Sequence, residues 1–392
     1  MKTLFFFMAM VCVVSCSKKE ATSSKHGGAH AITKAALLQS LSTCAYAQYD
    51  AFKTKAQNLE NALRAYVASP SDAALLTQSQ QAWKDAMLEW QKTQVFRFGP
   101  MANSMDPGGQ DISQQVYAWP YTNRCLVEEQ LVKKTDESPD FARSLVSARG
   151  LDAIEYALFY TGTDNACSPS LSVINTQGTW NTLVNSGQLQ ARKAAYAWAC
   201  AKSVLSYVES LQNTWNQTFR TQFLTAGEGS RLFDSDHAAL NAASDALFYL
   251  DYDIKDLKLA KPMGKMNCTQ PLCLDAVESP YAHFSLSNIQ SNMASWTVLM
   301  KGCGNNTVGF DAWLRAIGQG GVDLANQMDA SRLKVVSSLN TLSLPLEDVL
   351  RGSPSGLDVL YNDLKAVSDD LKTQFITLLN LDLPRVVETD ND

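Results

Sequence analysis

Two carboxylates set three residues apart inside an apolar run are the most chemically suggestive feature of this 392-residue sequence. The run extends from Ala148 to Tyr160, and its Leu151, Ile154, Leu158 and Phe159 recur at helical spacing. That spacing predicts a buried amphipathic helix. Asp152 and Glu155 then share one face of it. Burying two carboxylates among Leu, Ile, Phe and Tyr is costly unless they meet partners. Such oxygens can ligate a hard cation, accept hydrogen bonds from a ligand, or pair with arginine. Within the sequence the nearest candidate partner is Arg149, at i,i+3 from Asp152. Gly150 weakens a helix by roughly 1 kcal/mol relative to Ala, which suggests a close approach by another backbone or by a ligand.

The elements around this run are helical. From Ile32 to Ala68 an apolar side is formed by Leu38, Leu41, Phe52, Leu59 and Leu63, and the Ser69-Pro-Ser-Asp72 stretch stops it and offers caps to the next helix. That second helix runs to about Val95, with Trp83 and Trp90 seven apart on a core face. Pro100 and Gly99 end it and leave Arg97 at the helix-to-loop junction, placed to clamp an anion or to pair with a buried carboxylate such as Glu155. A long loop follows and closes on Trp119-Pro120-Tyr121; loops of this length in compact domains are often functional. Ser138-Pro139-Asp140 is expected to start the helix carrying the carboxylate pair. Leu189 to Phe223 is the longest periodic run, roughly 50 Å if fully helical. Gly227 to Ser230 is a candidate domain boundary, and beyond it Ala246-Leu-Phe-Tyr249 repeats Ala157-Leu-Phe-Tyr160. Glu278-Ser-Pro-Tyr281 leads into a polar helix start with Ser285 as the expected N-cap. No period-two alternation extends over a useful length, so the fold class is all-α.

The run Gly150-x-Asp152-x-x-Glu155, followed by Tyr156-Ala-Leu-Phe159, resembles the signature of the imelysin-like family, whose core reads Gly-x-His-x-x-Glu. Further motifs follow in matching order: Phe96-Arg-Phe-Gly-Pro100, Trp119-Pro120, Lys258 to Gly264, and Glu278 to Tyr281 with Ser285 to Asn292. The resemblance implies two related antiparallel helical bundles, divided here as residues 32–226 and 227–392. It implies a ligand site made of Arg97, Trp119, Gly150, Asp152, Glu155, Glu278, Ser279, Ser285 and Asn288, with Asp152 and Glu155 as metal ligands. Asp152 stands where many members carry His, which removes the one nitrogen ligand. The family's association with bacterial iron uptake implies iron or another hard cation as cofactor or cargo, and iron-uptake components as partners. The family was also classed among peptidases, yet this sequence has no His-Glu-x-x-His and its four histidines are scattered. A structural or interaction lipoprotein with a degenerate site is the remaining alternative.

Composition bounds the rest. A chain that is 46% hydrophobic and 18% charged folds as a globule, and a net charge of −6 without basic blocks excludes a nucleic-acid partner. Residues 1–15 read as a signal peptide, and Val13-Val14-Ser15-Cys16 resembles a bacterial lipobox. Lipidation of Cys16 would then anchor the protein to a membrane, with the outer membrane favoured because Ser17 follows the cysteine. Residues 16–31 form a polar tether. Of nine cysteines, seven remain after Cys12 and Cys16 are set aside. An exported protein keeps disulfides, Cys268 and Cys273 being the best local pair, and the odd count leaves one thiol unpaired.

Overall fold

In the computed structural model, residues 32–385 and 387 are described. The expected signal peptide, the expected tether and Cys16, the expected lipidation site, lie outside them. Helices α1 (Lys34–Ala68) and α2 (Ala73–Gln94) form an antiparallel hairpin. The Asp72 side chain caps α2 by accepting from the N–H groups of Ala74 and Leu75, as the Ser-Pro-Ser-Asp stretch suggests. Short helices α3 (Ile112–Val116) and α4 (Arg124–Lys133) follow, then α5 (Leu151–Phe159), which carries the carboxylate pair. After α6 (Thr179–Asn185), α7 (Leu189–Thr214) continues through a π-helical turn at Trp215–Phe219 into α8 (Arg220–Leu224). The long periodic run is therefore one helical rod. It packs along α1 and beneath α5.

Beyond the turn at Gly227, α9 (Asp236–Ser244) runs through a 3-10 turn into a π-helical stretch, Leu250–Ala260. Helices α10 (Ser285–Lys301), α11 (Phe310–Ala316), α12 (Gln319–Thr341), α13 (Leu346–Gly352), α14 (Ser355–Asp370) and α15 (Ile376–Leu379) complete the chain. No strand occurs among the described residues. The fold is all-α. Helix α12 packs on α14, and α14 on Leu250–Ala260, while α10 lies against α2 from the other side of Gly227. Contacts gather the described residues into one compact unit. Trp83, Trp90, Trp215 and Trp296 are fully buried within it, so the tryptophans at helical spacing are core. Among the described residues no helix is long and apolar enough to cross a membrane.

Three disulfides staple this unit: Cys44–Cys303, Cys125–Cys167 and Cys268–Cys273, leaving Cys200 free and buried. The local pair expected from sequence forms, and so does the odd thiol. The first bridge ties α1 to the turn after α10 across 259 residues of sequence. Closing so long a loop restricts the unfolded chain most. Replacing both cysteines by serine should therefore cost about 2–5 kcal/mol, read from denaturant unfolding without reductant. A loss under about 0.5 kcal/mol would show that the bridge adds nothing the helix packing does not already supply.

Candidate functional site

Gly150 decides where the site helix begins. It sits at the N-cap of α5 with φ +92°, and a Cβ there would lie 2.6 Å from the Val116 carbonyl oxygen. Two constraints thus coincide, a left-handed backbone and a close approach by another segment. The approach expected from the sequence is made by backbone. The expected helix start at Ser138 to Asp140 is not what forms. Two 3-10 turns, Phe141–Arg143 and Val146–Ala148, occupy that stretch, because a helix cannot run through Gly150 in this conformation. A Gly150→Ala chain should lose on the order of 2–5 kcal/mol, combining backbone strain and overpacking. A melting temperature within a degree of wild type would contradict this reading.

Arg149 does not pair with Asp152. Its side chain is 1% exposed and turns away, donating from Nε to the Ser144 carbonyl at 3.1 Å and from Nη1 to the Gln115 carbonyl at 2.7 Å. It holds two loops together and leaves both carboxyls of α5 without it. The Trp83 indole donates to the Leu151 carbonyl at 2.9 Å, and the Tyr196 hydroxyl to that of Ala148 at 2.7 Å, fixing the helix start.

Asp152 and Glu155 are 9% and 2% exposed and line one chamber of about 560 Å³. Asp152 Oδ2 accepts from the Ala118 N–H at 3.1 Å. Glu155 Oε1 accepts from two successive N–H groups, Tyr281 at 2.9 Å and Ala282 at 3.0 Å. Among the described residues no lysine, arginine or histidine forms an ion pair with either carboxyl. Burial raises the Asp152 carboxyl from 3.8 to about 7, opposed by the Thr122 hydroxyl and the Ala118 N–H and reinforced by Glu278. Burial likewise raises Glu155 from 4.5 to about 8, opposed by the Ala282 and Tyr281 N–H groups and reinforced by Asp152. Trp119 and Tyr281 supply aromatic wall, and the Trp119–Pro120 peptide is cis. Two lining residues, Asn267 and Ser279, take left-handed backbone conformations at φ +45° and +50°. Strain of this kind persists where surrounding structure enforces it, and it concentrates at functional walls.

Behind the chamber lies a buried polar network. Glu278, fully buried, accepts at Oε1 from Gln91 Nε2 (2.9 Å), the Tyr117 hydroxyl (2.8 Å) and Lys258 Nζ (3.1 Å). Lys258 also donates to Gln91 Oε1 and Asn292 Oδ1, each at 2.7 Å. Asn288 Nδ2 donates to Ser279 Oγ at 3.1 Å. Ser285 is not the N-cap expected: Phe284 occupies that position, and the Ser285 hydroxyl donates to the Glu278 carbonyl instead. The positive φ of Ser279 and His283 turns the chain so that Ser285 faces back onto it.

Arg97 is also placed differently from its expected pairing with Glu155. Its Nη1 lies 3.5 Å from Asp253 Oδ1 and its guanidinium carbon 4.9 Å from the Tyr249 ring centre. The π-helical stretch Leu250–Ala260 brings Asp253 to it before Glu155 comes within reach. The structure thus brings Trp119, Asp152, Glu155 and Ser279 to one chamber, with Gly150, Glu278, Ser285 and Asn288 behind it and Arg97 outside it. Gln91, Tyr117 and Lys258 were not singled out by sequence as site residues. The signal for Gln91 was its polarity within an otherwise apolar helical stripe, and for Lys258 its place at the head of a motif of the family resemblance; Tyr117, in the long loop, carried none.

Among the described residues, no three His, Cys, Asp or Glu side chains group as a metal-binding set. Asp152 and Glu155 together offer carboxylate oxygen alone, a donor set that fits a hard cation in part.

Comparison with known proteins places this architecture. The chain is 25% identical over 332 residues to iron-regulated protein A of Synechococcus elongatus, covering 83% of this chain and 80% of that protein. Its fold resembles a crystal structure described as an iron-regulated protein A precursor from Parabacteroides distasonis, with a TM-score of 0.66 and 15% identity over 90% of this chain and 96% of the other. The imelysin sequence profile matches residues 45–374. With that match spanning most of its length, the chain belongs to the imelysin family.

Proposed function

We propose that this protein is a cell-envelope lipoprotein of iron acquisition that takes a cation-bearing ligand into the chamber between α5 and residues 273–281. The observation that carries this reading is the pair of buried carboxyls that form no ion pair, although Arg124, engaged by Glu128 and Asp164, and Lys261 also line the chamber. Ionised carboxylates are expensive in such a place unless a positive partner arrives. A cation supplies that partner and replaces the protons that burial otherwise favours. Oxygen donors suit hard ions such as Fe³⁺ or Ca²⁺, whereas structural zinc takes Cys and His.

Each residue has a distinct task. Asp152 and Glu155 would hold the ion. The Tyr281 and Ala282 N–H groups aim Glu155, and the Ala118 N–H aims Asp152. Trp119 and Tyr281 give the wall its aromatic surface. Two carboxylates leave coordination positions open, so the ion would enter with oxygen ligands of its own, as in a chelate. The names of the relatives support iron as the cargo. The lipobox-like Val13-Val14-Ser15-Cys16 supports the lipid anchor and an envelope location, with the outer membrane favoured. No hydrolytic step enters this reading, because a metallopeptidase needs about three protein ligands and a poised base.

The test is calorimetric titration of a Cys16→Ser chain with ferric citrate and with Ca²⁺. Wild-type residues should give saturable binding to at least one, and Glu155→Gln should weaken it at least about tenfold, 1.4 kcal/mol. Equal binding by the variant, or none by either protein, rejects the carboxylate site.

A further inference from the structure

Trp119 and Pro120 line a second, smaller chamber of about 210 Å³ as well as the carboxylate one. Its chemistry differs from that of its neighbour. Arg97, the cation on its wall, already lies against Asp253, and its Nη2 donates to Gln94 Oε1. Its Nε is buried without a partner. Asp111, held at φ +54°, adds a carboxylate to the wall and accepts from the Ser104 N–H at 3.0 Å. Gln94, though only 3% exposed, reaches the same space, and Gln114 borders it from the surface. Four aromatic side chains, Tyr117, Trp119, Tyr121 and Tyr252, complete the wall, with Tyr121 70% exposed.

These features narrow the ligand class by elimination. An anion would meet two carboxylates and an arginine whose charge is already matched. A bare cation would find Asp111 as its one free carboxylate, since Asp253 already faces Arg97, and one carboxylate is too few for a cation site. A purely apolar guest would strip water from Gln94, Gln114, Asp111 and Arg97 and return nothing to them. Hydroxyl groups both donate and accept, which matches a wall mixing guanidinium, amide and carboxylate. A ring that carries hydroxyls on its rim and C–H groups on its faces would also use the aromatic side chains. The chamber is smaller than the roughly 300–1,000 Å³ of drug-sized pockets, so it takes one ring and not several.

We infer that the chamber behind Trp119–Pro120 is a binding site for a single uncharged saccharide ring, stacked on its aromatic wall and hydrogen-bonded by Arg97, Gln94 and Gln114. The inference does not rest on cation binding next door.

Saturation-transfer NMR on the metal-free Cys16→Ser chain tests it, with glucose, galactose, mannose and N-acetylglucosamine as probes and cyclohexanol as control. At least one sugar should receive saturation at its ring C–H protons, above the control. Gln114→Ala should weaken that binding about five-fold, the scale of one hydrogen bond. Trp119→Ala should abolish it, and Glu155→Gln should leave it unchanged. Because Gln114 is exposed, its variant carries the test even where Trp119→Ala fails to fold. Absence of transfer to all four sugars overturns the inference. So does undiminished binding in Gln114→Ala, or loss of binding in Glu155→Gln, which would place the sugar in the carboxylate chamber.

Discussion

A Glu155→Gln chain free of metal should be more stable than wild type at pH 8, by a few kcal/mol, and nearly equal to it at pH 5. The sign follows from the raised carboxyls. Asp152 and Glu155 move up to about 7 and about 8 in the fold, whereas the unfolded chain releases the same protons near 3.8 and 4.5. Between those limits the folded state binds more protons than the unfolded one. The stabilising contribution is therefore complete below about pH 4 and is lost as pH rises through the folded values. Every tenfold gain in proton affinity on folding is worth about 1.4 kcal/mol, and two coupled neighbours share the total, so a few kcal/mol is the expected scale. The carboxamide keeps an oxygen for the Tyr281 and Ala282 N–H groups while losing the charge. Urea unfolding at several pH values measures the difference. If wild-type stability rises from pH 5 to 8 relative to the variant, the carboxyls are stabilised as anions and the account of the site is wrong.

Lys258→Met should have an effect of similar size and opposite direction, costing about 3–5 kcal/mol. Glu278 is fully buried, and Lys258, 1% exposed, is the cation that offsets its charge. Removing the lysine leaves Glu278 with Gln91 and Tyr117 as donors but no positive partner. Pairing the change with Glu278→Gln should recover more than half of the loss, since the stranded charge disappears with it. A double variant no more stable than Lys258→Met alone would assign the cost to packing and hydrogen bonds instead of charge. The same network backs the chamber through Ser279, so its integrity matters to the site as well as to the fold.

How much of this was legible depended on the range of the interactions. Asp72 capping α2, Trp83 and Trp90 on one core face, and the Cys268–Cys273 bridge are local, and local spacing revealed them. The carboxylate pair on one helical face was legible for the same reason. The partners of charged side chains were not. Arg149 chose Gln115 over the nearby Asp152, and Arg97 chose Asp253, 156 positions away, over Glu155. Gly150 read as a weak point inside a helix but sits at its N-cap, a difference set by the Val116 carbonyl from another segment. Gln91 meets Glu278 across 187 residues, a contact no periodicity can announce. The family resemblance reached residues that spacing could not, including Glu278, Ser279 and Asn288, and the fold places all three behind or beside the chamber.

Anomalous diffraction from crystals of the Cys16→Ser chain soaked in ferric citrate addresses the central claim most directly. The account predicts one strong iron peak within coordination distance of both the Asp152 and Glu155 carboxylates, absent from Glu155→Gln crystals treated identically. Iron bound elsewhere with the α5 carboxyls untouched, or a peak that survives in the variant, would contradict it.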